Sequence, residues 1–125
     1  MVKLIYKEEV YAIQGAVFEV YKEMGSGFLE SVYQECLERE LKSRNIPFEP
    51  QKELTLTYKA TPLNQTYKPD FIFYNSIIGE LKAVKDTANE HCAQVINYLK
   101  ASGYPLGLLI NFRHYPKATV ERIII

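Results

Sequence analysis

Three charged side chains, Asp70, Glu80 and Lys82, lie within two short runs that are otherwise apolar past Lys68, and any fold must account for them. The runs, roughly Tyr67 to Phe73 and Ile77 to Val84, are rich in β-branched and aromatic residues. Turn-forming Asn75-Ser76 separates them, so they read as the arms of a β-hairpin. Acids and lysines inside such arms are almost never buried unless paired or bound to a cation. Glu80 and Lys82 are two apart and share one face of a strand.

Whether Asp70 joins them depends on register. Directly opposed residues of antiparallel strands share a face, so Asp70 and Glu80 converge only across a loop with an odd number of residues. Pairing Phe73 with Ile77, with Tyr74, Asn75 and Ser76 as the loop, sets Asp70 opposite Glu80. A two-residue turn would oppose Asp70 to Leu81 instead and part the carboxylates unless a bulge restored the phase. In the favourable register the Cβ atoms are about 5 Å apart, near enough for both carboxylates to hold one hard cation. Lys82 on the same face is then placed to steady an attacking water or developing phosphate charge. An isolated Glu-x-Lys is more simply an ion pair, with Asp70 a turn or edge acid. The proline before Asp70, the apolar arms and the register favour the cation.

Around this hairpin the chain reads as alternating helices and strands. From about Lys3 to Met24, Ile5, Val10, Ile13, Val17, Val20 and Met24 recur at helical spacing, and Gly25-Ser26-Gly27 ends the run. Gly15 weakens this helix or marks a close approach to another element. A second helix is expected from about Phe28 to Arg44, closed by Asn45 in a left-handed conformation with Pro47 beyond. Glu30, Tyr33, Leu37 and Leu41 share one of its faces. Glu30 in the first turn complements the helix dipole without any ligand, so the residues alone leave open whether it binds anything. Tyr33 reads as a packing residue whose hydroxyl reaches Glu30 or the hairpin.

Phe48 to Tyr58 alternates as a first strand, and Lys59 to Asn64 reads as a turn into the hairpin, giving a three-strand antiparallel meander. Thr87-Ala-Asn-Glu90 has the form of a capping box opening a third helix, which Gly103 and Pro105 close. His91, Gln94 and Tyr98 share a polar face of that helix, turned to solvent or to a substrate; His91 is equally well a surface or capping residue. Leu106 to Phe112 reads as a buried strand reached by a crossover, parallel to its neighbour. The loop Arg113 to Lys117 is a candidate phosphate-binding patch, and Thr119 to Ile125 a final edge strand.

Composition sets bounds. The 125 residues suit a single domain over 1–125 with one core. No apolar run approaches membrane-spanning length, acids come too early for a secretory signal, and a cytoplasmic location is expected. Cys36 and Cys92 have no ligand-like spacing and read as reduced thiols. Fifteen basic and fifteen acidic side chains cancel, so nucleic-acid affinity would need a local basic patch.

Pro69-Asp70, nine intervening residues, and Glu80-Leu81-Lys82 resemble the PD-(D/E)XK nuclease signature. Gly27-Phe-Leu-Glu30-Ser-Val-Tyr33 fits the pattern that names the GxxExxY family of that superfamily, and Gln94 to Tyr98 is similar to the QxxxY motif of its exonuclease-like branches. The resemblance covers nearly the whole chain. It implies an α/β restriction-endonuclease-like core: a mixed sheet, with the antiparallel three-strand meander plus one parallel crossover strand, flanked by helices. It also implies Mg²⁺ or Mn²⁺ as cofactor, held by Asp70, Glu80, the Leu81 carbonyl and Glu30. Lys82 would be catalytic, and Gln94, Tyr98, Tyr33 and His91 would bind substrate or position the site. The expected activity is metal-dependent phosphodiester hydrolysis of nucleic acid, DNA being favoured. The alternative is a non-catalytic nuclease-fold module that binds nucleic acid, a partner protein or a second copy of itself.

Overall fold

The computed structural model describes residues 5–125, so the expected helix start at Lys3 lies outside it. Helix α1 runs Lys7–Met24 and buries Val10, Ile13, Val17 and Val20, the stripe set by their helical spacing. It stops at Gly25, whose positive φ of 70° suits a residue without Cβ. Helix α2, Glu30–Ser43, ends in a Schellman arrangement. Asn45 takes φ 58°, its N–H meets the Lys42 carbonyl, and the Ile46 N–H meets that of Leu41.

Seven strands follow the two helices. They are β1 (Phe48–Pro50), β2 (Leu54–Tyr58), β3 (Thr61–Tyr67), β4 (Phe71–Phe73), β5 (Ile77–Lys82), β6 (Leu106–Asn111) and β7 (Thr119–Ile123), with helix α3 (Asn89–Ser102) between β5 and β6. Five strands form a sheet in the order β1-β4-β5-β6-β7, in which only the β5–β6 pair is parallel. The fold is therefore α/β and of the restriction-endonuclease-like kind, with a meander β1-β4-β5 and one crossover.

Two segments differ from the reading by periodicity. The run Phe48 to Tyr58 is broken: β1 joins the main sheet, whereas β2 pairs with β3 as a separate two-stranded ribbon. Gln51, at φ 53°, redirects the chain between them. Lys59-Ala60 alone makes the ribbon turn, both at positive φ, and Thr61 to Asn64 belongs to the returning strand. The hairpin's first arm is likewise interrupted, since Tyr67 ends β3 and Phe71 opens β4. Helix α3 opens one residue later than Thr87 suggests, without the expected box. Ala88 is the N-cap, and the His91 ring, rather than Glu90, accepts its N–H at 2.9 Å.

Alternation along β5 sorts the core. Ile77 and Leu81 pack with Val10, Ile13, Val17, Tyr33 and Leu37 of α1 and α2, while Ile78 packs with Val95 and Leu99 of α3. Gly107 on β6 lets α3 lie directly on the sheet, because a Cβ there would strike Val95. Among the described residues no helix is long and apolar enough to cross a membrane.

Candidate active site

The pairing of β4 with β5 matches Phe73 to Ile77, with Tyr74, Asn75 and Ser76 as a three-residue loop. Ile72 then faces Ile78 and Phe71 faces Gly79, so Asp70 arrives at the level of Glu80 just where β4 begins. Asp70 is held on several sides. Its Oδ2 accepts the Leu81 N–H at 2.8 Å and its Oδ1 the Gln51 side-chain amide at 3.2 Å. Its backbone carbonyl accepts the Gln51 N–H at 3.2 Å and the Gln34 amide at 3.1 Å. The buried Pro69 fixes the approach to it.

Glu80 is 6% exposed, and its Oε1 has no hydrogen-bond partner among the described residues. Burial, and after it the Asp70 carboxylate alongside, push its pKa up to about 8 from an ordinary 4.5, while nearby Lys82 pulls the other way. An orphaned carboxylate oxygen next to a second carboxylate is costly unless a cation is present. The donor set, two carboxylates and the neighbouring Leu81 carbonyl, is all oxygen and suits a hard divalent ion. Among the described residues no group of three or more His, Cys, Asp or Glu side chains forms a ready-made metal cage, so further ligands would come from water, backbone or substrate.

Lys82 follows on the same face. Its Nζ stands 3.5 Å from Oε1 of Gln94, whose amide donates to the Tyr98 hydroxyl at 2.9 Å. Tyr98 stacks on Tyr67, with ring centroids 4.3 Å apart, and the Tyr67 hydroxyl donates to the Tyr98 carbonyl. Burial raises the pKa of both tyrosines, and the charge of Glu80 adds to it. A run of contacts thus joins Lys82, on the same strand face as Glu80, to the polar face of α3.

The other expected residues lie around this centre. Glu30 is exposed at the first position of α2 and lines a cleft of about 210 Å³ with Gln34, Gln51, Asp70 and Leu81. Tyr33 is fully buried and stacks on Phe112, and its hydroxyl reaches neither Glu30 nor the hairpin. It donates to the Gly25 carbonyl at 2.6 Å and accepts the Phe28 N–H at 3.2 Å, tying down the glycine turn that delivers Glu30. His91 caps α3 and lines a groove with Gln94 and Tyr98. The loop 113–117 lies against α1: Tyr21 donates to the His114 carbonyl and Lys117 sits over the Phe18 ring. Sequence reasoning missed Gln34, Gln51 and Tyr67. The two glutamines reach Asp70 across a helix–strand contact and a left-handed turn that no local pattern announces.

A family model described as the PD-(D/E)XK nuclease superfamily matches residues 7–123. The fold is similar to the crystal structure of SSO0001, with a TM-score of 0.60 and 19% sequence identity. The match covers 94% of this chain and 61% of the other, so the chain spans about three-fifths of the length of that relative. No curated protein matches the chain.

Proposed function

The chain belongs to the PD-(D/E)XK nuclease superfamily, whose members generally use divalent metals, and on that premise we propose that it is a metal-dependent phosphodiesterase acting on nucleic acid, DNA in the first instance. The observation that carries the proposal is the buried, unpartnered Glu80 oxygen beside a firmly anchored Asp70. The Gly27, Glu30 and Tyr33 pattern supports placing the chain in the GxxExxY branch.

In this reading Asp70, Glu80 and the Leu81 carbonyl would hold Mg²⁺ or Mn²⁺, and Glu30, across the cleft, would bind it through water or complete its shell. When bound, such a cation would supply Lewis acidity to a phosphoryl oxygen and lower the pKa of a water. Lys82 donates to the attacking water or to the charge developing on the phosphoryl group, and Gln94 sets the direction of its ammonium. Tyr98 and Tyr67 hold Gln94 in turn and close the site on the α3 side. His91 and Tyr33 act at one remove, by fixing the start of α3 and the entry to α2.

Asp70→Asn and Lys82→Ala should each lower Mn²⁺-supported cleavage of labelled DNA by at least about 100-fold while leaving the circular-dichroism spectrum and melting behaviour folded. Cleavage by either variant at the parent rate would contradict the assignment. A second reading, a nuclease-fold module that captures a partner chain, is favoured by β7, an edge strand followed by exposed Ile124 and Ile125. A parent that binds metal yet cuts nothing would move the account there.

A further inference from the structure

We propose that the ribbon β2–β3 is the arm by which this protein engages a nucleic-acid duplex, laid against a groove and the phosphates flanking it. The proposal rests on the nuclease reading and adds where the substrate lies.

The neutral total charge is unevenly placed. Helices α1 and α2 carry four basic and eight acidic side chains, partly offset by Lys117 of the loop that lies on α1. The ribbon differs, since residues 54–69 contain no acid at all, with Lys59 at the tip and Lys68 at the foot. A polyanion is therefore repelled from the α1/α2 layer and accepted at the ribbon.

The ribbon's shape agrees. Leu54 and Leu56 are half-buried and Tyr67 is buried where the base of the ribbon meets α3, but Thr55, Thr57, Tyr58 and every residue from Thr61 to Thr66 are exposed. The exposed side chains are mainly hydroxyls and amides, which suit base edges and phosphates; Glu53 at the foot is engaged by the Thr66 hydroxyl at 2.8 Å. A two-stranded ribbon fits a major groove about 12 Å wide. At the tip, Lys59 and Ala60 hold positive φ where Asn-Gly would be unstrained, and the Lys59 ammonium rests 5.6 Å from the Tyr58 ring centroid. At the foot, β3 passes through Tyr67 and Pro69 straight into Asp70, so a duplex gripped by the ribbon is registered against the acids.

The test is fluorescence-anisotropy titration of a labelled 20-base-pair DNA duplex, in EDTA so that nothing is cleaved, with parent protein, Lys59→Glu, Lys59→Gln and Lys42→Glu. Lys42 is exposed in the last turn of α2, so its reversal makes the same charge change on the other layer. Lys59→Glu is expected to weaken duplex binding about tenfold and lower the salt slope by about one, with Lys59→Gln intermediate and Lys42→Glu near the parent. Equal losses at both positions, no loss at Lys59, or no duplex binding by the parent would overturn the proposal. Cleavage with Mn²⁺ is scored separately. A parent that cuts DNA while Lys59→Glu binds normally keeps the nuclease reading and loses the ribbon, and one that binds through Lys59 but never cuts does the reverse.

Discussion

At the level of single residues the decisive quantity is the free energy held at Glu80. Its folded pKa of about 8 exceeds the ordinary 4.5, so the native state keeps a proton that the unfolded chain releases. Stability of the metal-free protein is then full below about pH 4.5, declines as pH rises, and levels off above about pH 8. Glu80→Gln removes the titration. In EDTA it should be more stable than the parent by about 1–3 kcal/mol at pH 8.5 and indistinguishable from it near pH 4.5; urea unfolding at the two pH values reads this, and parallel profiles would contradict it. The acids themselves were legible in the sequence because charge inside apolar strands demands a reason, and because strand geometry ties Asp70 to Glu80 through the length of one loop. Partners such as Gln34 and Gln51 were not. Their contacts depend on how helix and turn pack against Asp70, which no spacing along the chain encodes. Tyr33 was legible as a packing residue but not in its bonds, since a buried hydroxyl takes whatever backbone group the fold brings to it.

Among elements, those with strong patterning were readable: the apolar stripes of α1 and α2, the asparagine and proline that close α2, and β6, apolar up to Asn111. The ribbon was not. β3 carries Pro62, Asn64 and Gln65, residues of low strand propensity, and it is exposed along nearly its whole length, so neither burial nor alternation marks it. The turn that would have announced it uses Lys59-Ala60 in place of a glycine pair. That substitution has a measurable cost. Ala60→Gly relieves a left-handed Cβ at φ 64° and should stabilise the protein by about 0.5–1 kcal/mol, read as a higher urea midpoint with an unchanged slope. A lower midpoint would show that the tip is not strained as described. The start of α3 lies one residue from where the local pattern sets it for a related reason: Thr87 and Glu90 satisfy that pattern, but the His91 ring is the group that meets the Ala88 N–H.

For the whole molecule the arrangement is a sheet whose two faces have different tasks. One packs on α1 and α2 and is apolar throughout, whereas the other, beneath α3, carries Glu80 and Lys82 beside Ile78. The acid-free ribbon, set apart from the acidic helices α1 and α2, gives a chain with no net charge a place to attract a polyanion. All of this depends on whether the Asp70–Glu80 pair binds a divalent cation. Isothermal calorimetry of Mn²⁺ into parent and Asp70→Asn protein at pH 7 measures it. Saturable binding of one ion by the parent, lost in Asp70→Asn, is the predicted result. An isotherm that is flat for the parent, or the same for both proteins, would contradict the account.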